Sequence, residues 1–193
     1  MTRGAGSPGD HTGAGAPLIV ERVRGDGDGW VVSETGAHFW GRHGAAGLLL
    51  RAPAPDGSLT VLLQHRAPWS HQGGTWALPG GARDSHETPE QAAVREAEEE
   101  AGLGADALVV RTTVVTAEVP GWTYTTVIAD AASMLDTVPN RESSELRWVA
   151  VDDVATLPLH PGFAASWQRL REVTTEIPWA IPGEQPAERK PDA

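Results

Sequence analysis

The sequence predicts an α/β fold, a mixed β-sheet sandwiched between helices. Two observations carry that reading. Apolar, β-branched runs of strand length at 45–51, 60–66, 108–115 and 122–129 surround one sharply bounded helical segment at about 89–101, and an amphipathic segment at 162–173 closes the pattern. The resulting order of strands, helix, strands, helix is that of a sheet covered on both faces.

Each element has a local reason. Residues 1–16 are Gly-rich and are expected to be disordered. Runs at 18–23 and 30–33 flank Gly25-Asp26-Gly27-Asp28-Gly29, which reads as a hairpin turn because the later ligands of a calcium loop are missing. A Pro/Gly/Asp turn separates the runs at 45–51 and 60–66, and a short strand at 75–78 leads into Pro79-Gly80-Gly81. Thr88 can cap the helix that follows, Pro89 suits its first position, Gln91 completes a capping box, and Gly102 supplies the left-handed residue that ends it. Strands at 108–115, 122–129 and 146–151, a helical turn near 151–156 and the helix at 162–173 complete one domain over 17–174. Residues 175–193 are expected to be a mostly disordered tail, most clearly from 181 onward.

Composition narrows the function. At 193 residues and a formal net charge of −11, the chain is a poor partner for nucleic-acid polymers, which call for basic patches. With no cysteine it has no disulfide, thiolate nucleophile or zinc-finger pattern. No apolar run approaches a membrane span, and no secretory signal opens the chain, so a cytoplasmic location is expected.

The chemistry is concentrated in residues 81–103, GARDSHETPEQAAVREAEEEAGL. At about 100° per residue, Glu96, Glu99 and Glu100 fall on one face of the helix, while Val94, Ala97 and Ala101 form a small-residue face for packing on a sheet. Glu98 points elsewhere. Carboxylates at that density need a counter-charge, and an oxygen-only ligand set suits Mg2+, with Mn2+ as a substitute. Arg95 neutralises part of the excess.

Gly81, Glu87, Arg95-Glu96, Glu99-Glu100 and Gly102, with Ala97 and Leu103 in the two hydrophobic slots, resemble a complete Nudix box of the MutT-like kind, G-x5-E-x7-R-E-U-x-E-E-x-G-U. Chance agreement at the seven fixed positions is on the order of one in 10^8. Similarity to that family extends over about 44–173. It implies a Nudix-type α/β/α sandwich and a hydrolase that cleaves phosphoric anhydrides. Glu96, Glu99 and Glu100 would be metal ligands, Gly80 would offer a backbone carbonyl to the metal, and Glu87 and Arg95 would support them. Such enzymes often recruit a further carboxylate from outside the box; Glu142 is the candidate here, with Glu145 and Glu118 behind it. Glu96, Glu99 and Glu142 are the expected catalytic residues, and either Glu96 or Glu142 would be the general base.

Substrate contacts are less legible. Arg51 and Arg66 end strands and could pair with phosphate. Trp76, Trp122 and Tyr124 could stack on a base or sugar. His65 and His71 are read as polar rim residues. The substrate is a small nucleotide, either a nucleoside triphosphate, oxidised forms included, or ADP-ribose or a nucleotide sugar, the latter hinted at by Pro120 lying 17 residues past Leu103. A silent nucleotide sensor is the third reading, and monomer and homodimer both stay open.

Overall fold

The computed structural model describes residues 25–34 and 36–179. The expected strand at 18–23 and the expected tails at 1–16 and from 180 onward lie outside the described residues. Eleven principal elements are β1 (Trp30–Val32), β2 (His38–Trp40), β3 (Ala45–Pro53), β4 (Leu59–Arg66), β5 (Trp76–Ala77), β6 (Gly80–Ala82), α1 (Pro89–Ala101), β7 (Val109–Val119), β8 (Trp122–Asp130), β9 (Ser143–Ala150) and α2 (Pro161–Glu176). Single 3-10 turns follow α1 at Ala105–Ala107 and precede α2 at Val154–Thr156. β2 and β6 were not assigned from sequence. Both are three residues long, too short for a period-two pattern to declare itself.

Seven strands form one mixed sheet in which β3 is central. β3 pairs with β8 in parallel, Ala45 opposite Tyr124 through Arg51 opposite Asp130. Its other edge forks. Arg51–Pro53 pairs antiparallel with β4, whereas Ala45–Gly47 pairs antiparallel with β6. β4 meanwhile continues against β5 on that side and β9 on the other. The segment 76–82 therefore enters the fork bonded to β4 and leaves it bonded to β3, with the Leu48 N–H donating to the Pro79 carbonyl at 2.9 Å.

Alternation along β3 sorts the core into two layers. Ala46, Leu48, Leu50 and Ala52 face α1 and meet Ala92, Ala93, Ala97 and Ala101. Leu49, with Val61, Leu63 and Ile128, faces α2 and meets Phe163, Trp167 and Leu170. The alanines let α1 sit close to the sheet; Val94, expected on this face, is only half-buried. Within the described residues no helix is long and apolar enough to cross a membrane.

The fold extends past residue 174. α2 runs to Glu176, the Ile177 carbonyl accepts a hydrogen bond from Arg51, and the Trp179 indole N–H donates to the Ala131 carbonyl. The expected boundary at 174 is thus early, because the end of α2 is anchored to the sheet.

Candidate active site

α1 has the capping predicted for it. The Thr88 hydroxyl accepts the Gln91 N–H, the Gln91 side chain accepts the Thr88 N–H, and Gly102 ends the helix at φ 70°. This fixes which residues turn toward the fork. Glu96 and Glu100 are both buried, each 3 % exposed, while Glu99 one turn on opens to solvent. The Gly80 N–H donates to Glu100 Oε2 at 2.8 Å, so Gly80 touches the acidic face through its amide. Gly81 lies against Glu96: a Cβ there would stand 2.6 Å from Glu96 Oε1. No side chain fits between this strand and the carboxylate.

Arg95 clamps the outer side. Its Nε and Nη2 donate to the two oxygens of Glu87 at 2.6 and 2.9 Å, Nη1 donates to Glu96 Oε1 at 2.8 Å, and Nη2 also donates to the Ala82 carbonyl at 3.0 Å. Glu99 Oε1 is 3.5 Å from Nη1. The fork geometry of a guanidinium suits this bridging role, and the Arg95 hydrogen bonds hold the Glu87 carboxyl below its ordinary range.

One arginine does not balance the site. Burial pushes the Glu100 carboxyl up to about 8, the Glu96 charge pushes the same way, and the Gly80 N–H and Gln64 only partly oppose them. Such a face suits a divalent cation: it offers oxygen donors only, two of them desolvated, with glycine backbone on the far side. The residues fit the metal. Gln64, itself buried, donates from Nε2 to Ser143 Oγ at 2.8 Å while its Oε1 has no hydrogen-bond partner. Sequence reasoning passed over it; its signal was a lone amide in the apolar run of β4.

Glu142 reaches the site by a route the box does not encode. The Val138 N–H donates to the Ala101 carbonyl at 2.9 Å, the Asn140 N–H to the Glu100 carbonyl at 3.3 Å, and Asn140 Nδ2 to the Glu99 carbonyl at 3.3 Å. These bonds moor the loop before β9 to the end of α1, using carbonyls a helix terminus leaves unsatisfied. Asn140 Oδ1 then accepts the Glu142 N–H at 2.7 Å. Glu142 is half-buried and close enough for its charge to act on Glu100.

Two cavities flank this arrangement. A small one of about 70 Å³ is lined by Gly25, Asp28, Asp84, Arg95, Glu96 and Glu99. It exists because the Gly25–Gly29 turn straps onto the start of the box: the Gly27 N–H donates to Asp84 Oδ1 at 2.8 Å and the Ser85 N–H to Asp26 Oδ1 at 2.8 Å. Asp26, Asp84 and His86 thereby come within metal-binding reach of one another, with Asp26 already engaged by Ser85. A larger open cleft of about 690 Å³ lies at the β7–β8 hairpin, between Arg42, His43, Arg83 and Glu118.

Comparison with known proteins now decides the family, because residues 41–172 match the family model described as the NUDIX domain. The chain belongs to the Nudix family. It is a Nudix hydrolase, acting on phosphoric anhydrides, and hydrolases of this family use divalent metal ions. A Mycobacterium tuberculosis protein that carries the provisional name 8-oxo-dGTP diphosphatase 3 is 73% identical over 169 residues, covering 85% of this chain and 78% of the relative. The crystal structure of a Nudix hydrolase from M. smegmatis, RenU, is 79% identical with a TM-score of 0.78, over 80% of this chain and 99% of that one. The NUDIX domain of Shewanella oneidensis NrtR, solved with ADP ribose, is 26% identical with a TM-score of 0.52, over 72% of this chain and 89% of that one.

Within this Nudix fold several expected substrate residues turn out to be structural. Arg51 lines no cleft. It is fully buried, donates from Nε and Nη2 to the two oxygens of Asp130 at 2.7 and 2.9 Å, and donates from Nη1 to the carbonyls of Thr174 and Ile177. Its apolar neighbours hid this, since its partner is 79 residues away. Trp76 is 5 % exposed, sandwiched between the His65 ring and the Arg147 guanidinium. Trp122 is 8 % exposed, stacked on Phe39, with its indole N–H given to the Trp40 carbonyl. Neither offers a ring face to a base. Glu145 is paired with Arg147, and Glu118 borders the larger cleft. Tyr124 does approach the acidic face, and the Arg66 charge acts on Tyr124. The Tyr124 hydroxyl lies beside Gly47 in the fork, where burial, Glu100 and Glu96 raise its pKa and Arg66 opposes them. Arg66 Nε donates to the His71 carbonyl at 3.0 Å.

Proposed function

We propose that this Nudix hydrolase is a Mg2+-dependent pyrophosphohydrolase of nucleoside triphosphates, oxidised ones included, releasing the nucleoside monophosphate and pyrophosphate. The observation that carries the reading is the pair of buried carboxylates, Glu96 and Glu100, beside Glu99. They form an anionic face that can meet a polyanionic substrate only with a cation between them. Mg2+ held by Glu96, Glu99 and Glu100 would neutralise phosphate oxygens and lower the pKa of an attacking water. The chain's own residues do the rest. Arg95 and Glu87 hold Glu96 in one orientation, and the Gly80 amide does the same for Glu100. Glu96 is committed to Arg95 through Oε1, so removal of the water proton falls to Glu142. Arg66 supplies a positive charge for the phosphate chain from the far side of the fork. The M. tuberculosis relative's name supports a triphosphate substrate.

ADP-ribose or a nucleotide sugar is the second reading, favoured by the fold shared with the NrtR domain. The Pro120 hint for it weakens, because Pro120-Gly121 is simply the β7–β8 turn, with Gly121 at φ 80°. All box carboxylates are in place, which speaks against a silent sensor.

Product analysis decides. Nucleoside triphosphates, 8-oxo-dGTP, ADP-ribose, nucleotide sugars and dinucleoside polyphosphates are incubated with Mg2+ or EDTA and the products separated. Monophosphate plus pyrophosphate, abolished by EDTA, is expected. Higher kcat/KM on ADP-ribose, with AMP and ribose 5-phosphate released, overturns the triphosphate reading. Tight nucleotide binding without turnover overturns both.

A further inference from the structure

Among the described residues three tryptophans are exposed, Trp30, Trp40 and Trp69. Of these, Trp30 has its ring against His71, on the loop between β4 and β5. It is 52 % exposed, yet its ring stands edge-on to His71 with centroids 5.7 Å apart. It is braced from behind by its cross-strand partner Trp40, at 5.3 Å, and by His38, at 6.5 Å. The opposite face of the β1–β2 hairpin is fixed to the sheet through Phe39 stacked on Trp122. A large amphipathic ring is therefore held in place and left half open.

Its position follows from its neighbours. His71 touches His160 ring to edge at 6.4 Å and is tied through its carbonyl to Arg66. The Arg66 charge acts on both His160 and the Tyr124 hydroxyl, and Tyr124 in turn feels Glu100 and Glu96. The segments carrying Trp30 and His71 also border the acidic face directly: Asp28, two residues before Trp30, lines the small cavity with Glu96 and Glu99, and the Ala67 N–H at the root of the loop carrying His71 donates to the Glu142 carbonyl at 2.9 Å. Trp30 and His71 therefore meet between two segments that border the carboxylates, and toward them a nucleotide held there by its phosphates can extend.

Resting on the reading of this site as a nucleotide hydrolase, we propose that Trp30 is a specificity-determining residue: with His71 it forms the wall on which the nucleobase stacks. Trp30 lies outside the NUDIX match, which begins at residue 41, and takes over the role that the sequence had suggested for Trp76 and Trp122. Stacking of this kind tolerates many bases because every base has a π-face, so it sets affinity for nucleotides over base-free phosphates.

The test compares the full-length wild type with Trp30→Ala and Trp30→Phe. The substrates are nucleoside triphosphates and inorganic tripolyphosphate, which has the anhydride but no base and serves as substrate or competitive inhibitor. Trp30→Ala is expected to raise the KM for nucleotides about ten-fold, and the Ki of the monophosphate product equally, within the range for loss of one stacking ring. kcat and the tripolyphosphate constant stay within about three-fold, and Trp30→Phe recovers most of the loss. Unchanged nucleotide KM and Ki in Trp30→Ala overturn the inference while leaving the hydrolase reading intact. An equal loss on tripolyphosphate, or a changed oligomeric state without a base-dependent KM, also overturns it. A wild type that cleaves no nucleotide overturns the underlying function instead.

Discussion

Replacing Gly81 by alanine probes the acidic face with a single methyl group. The added Cβ would stand 2.6 Å from Glu96 Oε1, 2.7 Å from its Cδ and 2.9 Å from Oε2. Ordinary contact begins near 3.4 Å, so 3.4 less 2.6 leaves the carboxylate about 0.8 Å to retreat. Strand pairing of Gly81 with Ala46 does not need to change, and Gly81 has no positive φ, so the backbone tolerates the methyl. The displacement therefore falls on Glu96 and, through Oε1, on its bond to Arg95. A misplacement of about 1 Å at a reacting centre can cost about 100-fold in rate, or about 2.7 kcal/mol in barrier. Steady-state kinetics on the preferred nucleotide with Mg2+ in excess should show that loss in kcat, with a rise in the Mg2+ concentration at half-maximal rate and a nearly unchanged Tm. A kcat within three-fold of wild type would refute the assignment of Glu96 to the metal face. A Tm collapse would show instead that the strand cannot absorb the methyl.

Other expectations are simpler. Glu99→Gln, with its carboxylate charge removed but its size kept, should lower kcat by at least about 100-fold to 1000-fold under excess Mg2+, the usual cost of losing one charge-stabilising group; near-normal turnover would remove Glu99 from the site. Arg51→Met takes the bidentate guanidinium from buried Asp130, whose other cation Arg111 stands at 3.7 Å, and should cost about 3–5 kcal/mol in urea unfolding while the folded fraction keeps its kcat. A selective loss of kcat/KM would restore Arg51 to the substrate. Glu100 gives a pH signature. Its folded pKa, about 8, lies above the ordinary carboxyl value of 4.5, so between those values the folded state binds more protons than the unfolded one. Stability of the metal-free protein should fall as pH rises through that window, and the Tm gain on adding Mg2+ should grow over the same range. A metal-induced gain independent of pH would show that the buried pair is not where the cation sits.

Local signals carried the helix and most strands. α1 is bounded at about 89–101 by Thr88, Pro89, Gln91 and Gly102, because capping is short-range chemistry written in adjacent residues. The grouping of Glu96, Glu99 and Glu100 is legible for the same reason, since the three fall within about one turn of one helix. Where a site residue reads differently in the structure, its partner is distant in the chain. Arg51 reads as a strand-end cation until Asp130 and the end of α2 are placed over it. Trp76 and Trp122 read as free rings until Arg147 and Phe39 cover them. Glu142 could be suspected from its loop, but only the Asn140 bonds to the end of α1 explain why that loop turns inward. The fork at β3 has no sequence signature, since nothing in AAGLLLRAP says that one edge will serve two partners.

That fork bears on how such a protein can diverge. The segment 76–82 is bonded to β4 at Trp76–Ala77 and to β3 at Gly80–Ala82, so the Gly80–Gly81 backbone can hardly shift without unpairing from β3 and pulling on the attachment to β4. The parts that touch the cleft from outside it, the β1–β2 hairpin and the loop carrying Trp69 and His71, carry no such double constraint. Descendants of this chain can alter what they accept by changing those surfaces while inheriting the hydrolytic centre intact. Drift in ligand choice should accumulate there, and change at residues 76–82 should be the rarer event.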